Sequence, residues 1–274
     1  MTQRFNGFLG LGRRDVIKAL GAAGVGLAAS ACSASPTQTT TANASPAASP
    51  AAATTAPDPA VENRPEAADM TPDQALQLLI DGNKRYIEGK SIHPRENIDR
   101  IRDTAVDQFP FAAFLSCADS RVPVEEVFDQ GIGDCFVCRV AGNIATEQEI
   151  GSLEFGTLVL GSKVLLVIGH ERCGAVVASM GRIPLPDNPG QIPTLVPLIE
   201  PAVKTIAEKV KREGVPSVGD DVDATIKLNV HNQVARLKRS PILSQLEREN
   251  KLKILPAYYD LDTGVVQILE APKA

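Results

Sequence analysis

Phe111-Ala-Ala-Phe-Leu-Ser116, running straight into Cys117-Ala-Asp119-Ser-Arg121, is the stretch on which the reading of this chain turns. Its first half is a short continuous apolar run, the pattern of a strand buried on both faces. Its second half sets a thiol, a carboxylate and a guanidinium at the strand's end. Cys135-Phe-Val-Cys-Arg-Val140 and Val164-Leu-Leu-Val-Ile168 repeat the strand pattern, and a helical segment of about Glu147 to Leu160 lies between them. Buried strands separated by helices predict an α/β fold with a mainly parallel central β-sheet flanked by helices. His170 follows the third run by two residues and Cys173 comes three later. Both polar clusters thus fall at carboxyl ends of strands, where open parallel sheets form their sites.

Working outward, Thr71-Pro72-Asp73-Gln74 reads as a helix start. Thr71 caps, Pro72 takes the first helical position and Gln74 completes a capping box. Ala75, Leu76, Leu78, Leu79 and Tyr86 carry an apolar stripe to about Glu88. Long helical patterns cover about Leu195–Glu213 and Asp221–Lys238. Lys253–Tyr259 and Val265–Leu269, joined across Asp262-Thr-Gly264, predict a C-terminal hairpin added to the sheet. No internal repeat is apparent.

The chain has 274 residues and a formal charge of −5, so it lacks the basic footprint of a nucleic-acid binder. No apolar stretch reaches the length that spans a bilayer. The first 66 residues differ from the rest. Arg13-Arg14 precede an Ala/Gly-rich run from Ala19 to Ala31, resembling a twin-arginine export signal. Ala29-Ser30-Ala31-Cys32 resembles a lipobox, with Ala29 where a Leu is more typical, and would make Cys32 a lipidated new N-terminus and membrane tether; ordinary signal cleavage nearby is the alternative. Residues 33–66, rich in Ala, Ser, Thr and Pro, read as a disordered linker. The expected organisation is therefore a signal over 1–32, a linker over 33–66 and one folded domain over 67–274.

Only five Cys and three His exist in the chain. Cys117, His170 and Cys173 supply two soft thiolates and an imidazole, a set that suits zinc with one coordination position left open. Two merely structural cysteines would not need strand-end positions beside polar residues. His93 lies in a polar stretch and His231 within a helix, and neither is assigned a role. Cys135-x-x-Cys138 lies on a strand, where positions three apart face opposite ways, which excludes a disulfide and predicts buried thiols. Asp119 and Arg121, two apart on an extended segment, share a face and can pair, leaving a carboxylate oxygen for a metal-bound water.

These blocks together resemble the β-class carbonic anhydrases. Cys117-Ala-Asp-Ser-Arg-Val122 is similar to the family's C-[SA]-D-S-R-V segment. Gly133-Asp-Cys-Phe-Val-Cys-Arg139 with Ala141-Gly-Asn143 is similar to its G-D-x-F-V-x-R…A-G-N block. Gly169-His-Glu-Arg-Cys-Gly-Ala175 matches G-H-x-x-C-G-A, and Gly82-Asn-Lys-Arg85 matches an early G-N-x-R. The resemblance implies one Zn2+ per chain on Cys117, His170 and Cys173, with Asp119 and Arg121 as catalytic dyad. It implies zinc-activated water attacking CO2 to give bicarbonate and a proton. In some members the carboxylate matching Asp119 ligates zinc itself in a closed state. A homodimer or multiple of dimers is implied as well. Many members place a Gln two positions before the residue matching Gly133; here that position is Gly131, and whether Gln130 takes over the substrate contact stays open.

The signal adds a location: the periplasm, or the outer side of a membrane through Cys32, with a thylakoid lumen as the alternative if the source has internal membranes. Passage of an already folded chain would protect metal-loaded thiols from oxidation. Two other readings fit the same residues: action on carbon disulfide or carbonyl sulfide, which are linear and apolar like CO2, and a non-catalytic zinc-stabilised scaffold.

Overall fold

The computed structural model describes residues 67–214 and 219–270. The signal and linker readings, over 1–32 and 33–66, lie outside them. Five strands form one sheet in the order β2-β1-β3-β4-β5. They are β1 (Ala112–Ser116), β2 (Cys135–Arg139), β3 (Val164–His170), β4 (Lys253–Tyr259) and β5 (Val266–Ile268). The first four are mutually parallel, and β5 pairs antiparallel with β4. The parallel sheet and terminal hairpin match the sequence expectation. Among the described residues, no helix is long and apolar enough to cross a membrane.

The sheet is parallel because β1 and β3 are buried on both faces, so each needs helices above and below. Along β1 the pleat sends Ala112 and Phe114 into one apolar cluster and Ala113 and Leu115 into the other. Helix α1 (Pro72–Ile87) and the short α3 (Val124–Val127) cover the first face. Helix α1 starts as expected: Thr71 Oγ1 accepts from Gln74 N and the Gln74 side chain accepts from Thr71 N. Between them runs α2 (Ile98–Thr104), capped by Asn97. Helices α4 (Glu147–Glu154), α7 (Asp220–Leu237) and α8 (Pro241–Arg248) cover the opposite face, while α5 (Gly174–Ser179) and α6 (Val196–Glu213) flank the carboxyl end of β3.

Several expectations need correction. The segment expected to be helical over about Glu147 to Leu160 is α-helical only to Glu154; Phe155–Val159 widens into a π-helical turn. Gly156 lies in that turn, packed so tightly on Phe136 that an added Cβ would come within 2.6 Å of the ring. His170 does not follow β3 but is its last residue, because β4 continues the ladder as far as Tyr259. Cys135 and Cys138 do face opposite clusters, but both are half-buried rather than buried, since β2 is the edge strand. The short helices α2, α3, α5 and α8 carry too few turns for a periodic signal, and sequence reading passes over them.

Candidate metal centre

The register of β1 against β3 pairs Ser116 with Ile168, so Cys117 and His170 emerge together at the sheet's carboxyl edge. Cys173 follows one tight turn later, immediately before α5. Their ligand atoms lie within 4.8 Å of one another, and all three residues are buried. The two sulfur atoms are 4.0 Å apart. His170 Nδ1 is bonded to the Glu171 carbonyl at 2.9 Å, and the acceptor there makes Nδ1 the protonated nitrogen. That leaves the Nε2 lone pair facing the thiols. Nε2 is buried and has no hydrogen-bond partner.

Such an orphan is costly unless something binds it. Tetrahedral zinc with Zn–S bonds of about 2.3 Å sets its sulfurs about 3.8 Å apart. The sulfur spacing, the mixed donors and the orphaned nitrogen therefore fit zinc. Among the described residues, two further clusters have metal-ligating groups: His93 with Glu96 and Glu126, all exposed, and Glu171 with Asp260 and Asp262.

Neighbouring residues hold the first thiol. Gly142 N donates to Cys117 Sγ at 3.3 Å. Gly142 sits at φ +78, and a side chain there would strike Ile199 at 2.7 Å, so only glycine brings this N–H onto the sulfur. Its carbonyl is fixed in turn by the buried Asn229, whose Nδ2 donates at 3.0 Å. Gln233, one turn further along α7, donates to Asn229 Oδ1 and accepts from Ala145 N. Arg139, at the end of β2, donates from Nε to the Cys117 carbonyl at 3.0 Å and from Nη2 to the Asp119 carbonyl. Arg139 stands in the quoted Gly133–Arg139 block but has no role assigned there, and Asn229 and Gln233 escape sequence reasoning. Asn229 and Gln233 look like ordinary helix residues, and only their burial marks them.

Asp119 and Arg121 are brought together, though by a turn rather than an extended segment. Val122 N closes the turn on Asp119 O at 3.1 Å. Arg121 grips the carboxylate through Nε to Oδ1 at 2.9 Å, Nη2 to Oδ2 at 2.8 Å and its own backbone N to Oδ1 at 3.0 Å. The guanidinium holds the Asp119 carboxyl well below the usual range. Oδ2 also lies 3.7 Å from His170 Nε2, which points the carboxylate at the place the three ligands share. Gln130 is not in this group. Its amide donates to Phe128 O at 2.8 Å, and it lines a cavity of about 420 Å³ with Glu96, Glu125 and Glu126, whose wall includes none of the five site residues. His231 lies in α7, beside an apolar cavity with Leu228 and Pro256.

The two thiols divide one proton unequally. A hydrogen bond from Cys173, then contacts with His170 and the Gly142 N–H, pull Cys117 down to about 4. Its thiolate, together with burial, pushes Cys173 far up. Both cysteines belong to one buried cluster with Ile144, Val176, Ile199, Ile226 and Tyr258.

A family model described as carbonic anhydrase matches residues 112–266. The chain is 36% identical to "Carbonic anhydrase 2" of Mycobacterium tuberculosis over 200 residues, covering 72% of this chain and 92% of that protein. It is 33% identical to the carbonic anhydrase of Mycolicibacterium smegmatis, covering 73% and 94%. Among solved structures, a tetrameric β-carbonic anhydrase of Sordaria macrospora superposes with a TM-score of 0.58 at 21% identity, covering 73% of this chain and 98% of that one. A Coccomyxa β-carbonic anhydrase in complex with acetazolamide gives 0.56 at 27%, covering 71% and 86%. The chain belongs to the β-class carbonic anhydrase family.

With Cys117 drawn down and Cys173 pushed up, one proton is expected to stay on the metal-free pair near neutrality, and zinc binding would expel it. Low pH favours the protonated, metal-free form, so zinc affinity should rise about tenfold per pH unit between about pH 7 and pH 8. Competition against a chromophoric chelator measures this. A rise of about a hundredfold would mean that both thiols are protonated, and an unchanged affinity that neither is.

Proposed function

We propose that this chain is a zinc-dependent carbonic anhydrase, interconverting CO2 and bicarbonate, and that it works outside the cytoplasm. The observation that carries the zinc reading is the buried, unpartnered Nε2 of His170, facing two thiol sulfurs with Asp119 Oδ2 at 3.7 Å. Cys117, His170 and Cys173 hold the ion. Zinc bound there supplies a nucleophile from water at neutral pH.

The protein's own groups do the rest. With Oδ1 taking two donors and Oδ2 one, Oδ2 keeps a lone pair for a hydrogen of the attacking water. Accepting that hydrogen turns the water's nucleophilic lone pair toward CO2. Arg121 keeps Asp119 ionised, hence always an acceptor. It also holds the carboxylate back from the metal ligands, which supports the open rather than the closed arrangement. The apolar cluster that contains both cysteines suits the approach of an apolar gas.

Edge strand β2 supports a homodimer or multiple of dimers. Beside it, Phe155, Leu158 and Val159 are exposed, and Phe155 stacks on Phe136 of the strand itself. A cavity of about 610 Å³ along the same edge is lined by Val106, Ile132 and Phe155 among others. A strand at the sheet's edge with an apolar rim is suited to another copy of the chain. Export and the Cys32 tether rest on the Arg13-Arg14 and Ala29–Cys32 patterns alone.

In zinc-loaded protein, Asp119→Ala should lower kcat for CO2 hydration about 100-fold or more with zinc content unchanged; full activity would overturn the dyad. Chelation should abolish hydration in the unmodified enzyme, and added zinc should restore it. In sedimentation experiments the mature chain should run as a dimer or larger, and a Phe155→Glu/Leu158→Glu double variant as a smaller species. A monomeric parent would remove the oligomer reading. In cells fed radiolabelled fatty acid, label should enter the full chain and be lost in Cys32→Ala. Absence of label from the parent would rule out the lipid tether.

A further inference from the structure

Four residues form the turn that carries the second and third candidate ligands: His170, Glu171, Arg172 and Cys173. The outer two aim at the metal position. The inner two both reach across to the segment after β4. Glu171 N donates to Tyr259 O at 3.0 Å, extending the β3–β4 ladder one step beyond His170. Glu171 Oε2 accepts from Leu261 N at 3.3 Å. Arg172 donates from Nη1 to Asp262 Oδ2 at 3.0 Å and from Nη2 to Asp262 Oδ1 at 2.7 Å, a two-pronged bond. Its Nη1 also donates to Glu171 Oε1 at 2.8 Å, joining the two anchors.

The turn needs such anchoring. Arg172 sits at φ +52, in the left-handed region that a long side chain enters only at a cost. The conformation nevertheless lets the chain reverse between His170 and Cys173, so that both ligands face one point. Glu171 in addition supplies the carbonyl that fixes the His170 imidazole. The receiving segment is itself rigid. Asp260 Oδ1 accepts from Asp262 N and Thr263 N, each at 2.9 Å. On its far side the buried Asn83 of α1 donates to Gly264 O at 2.9 Å and accepts from Val266 N at 2.9 Å. A continuous line of bonds therefore runs from α1, through the turn between β4 and β5, to the ligand turn.

We propose that Arg172 and Asp262 are positioning residues for the metal centre: their two-pronged bond holds the turn so that His170 and Cys173 keep the spacing zinc requires. This rests on the zinc reading above. The ion pair is half-exposed and contributes little to folding as such. Its effect falls on the ligands, where loss of an outer partner typically weakens metal binding about 10–100-fold.

The experiment uses full-length or mature zinc-loaded protein and follows zinc release to a chromophoric chelator, alongside the denaturation midpoint of the metal-free form. Asp262→Ala and Arg172→Lys should each speed release about tenfold or more, the lysine keeping the charge but losing the fork. Their metal-free midpoints should stay near that of the parent. The swapped pair Arg172→Asp/Asp262→Arg should recover part of the loss. Release within twofold of the parent in both single variants would overturn the proposal. So would faster release that simply follows a lowered metal-free midpoint, since that is general stability. A parent that binds no zinc would instead sink the zinc reading itself, an outcome separate from either.

Discussion

The parallel pairing of β1 with β3 is the constraint on which the rest of the molecule depends. It fixes Ser116 opposite Ile168, so Cys117, just past the end of β1, comes beside His170 at the end of β3. A slip of one residue would turn every side chain of β1 to the other face and carry Cys117 away from His170. The register is secured from both sides of the sheet, because Phe114 and Leu115, neighbours in sequence, sit in separate apolar clusters. Packing of the core and placement of the ligands are thus one requirement.

Around that edge, polar groups from distant parts of the chain arrive to hold backbone rather than to react. Arg139 of β2 grips the carbonyls of Cys117 and Asp119. Asn229 and Gln233 of α7 hold the loop that presents Gly142 N to the thiol. Gly169 permits the approach of α7, since a Cβ there would lie 2.5 Å from Val230. A candidate site of three metal-ligating side chains and one ion pair is therefore braced by β2, α7 and the turn after β4. Such bracing is what keeps an unpartnered nitrogen and two facing sulfurs from collapsing onto other partners.

The sheet was legible in the sequence, and the five candidate site residues stood out in it, for a physical reason. Strands buried on both faces leave uninterrupted apolar runs, and thiols next to charged groups at their ends stand out in a chain so poor in Cys and His. The hairpin was legible from the turn residues between its strands. What stayed hidden depended on contacts across the fold. The Asp119–Arg121 pairing was foreseen, but not the turn that produces it, because an Asp accepting its neighbours' backbone N–H groups leaves no periodic pattern. His170 was placed past the strand because Gly169 interrupts the β-branched run, while β4 continues to pair there. Gln130 could be named from spacing alone, and only the fold shows its amide spent on Phe128 O.

The grip of Arg121 on Asp119 has a kinetic consequence. A carboxyl group held well below its ordinary range carries the same charge from mildly acidic to alkaline solution. Asp119 is therefore silent in any titration of activity near neutrality. A carboxylate so held is not available to take up a proton in that range. An inflection of activity there would belong to another group.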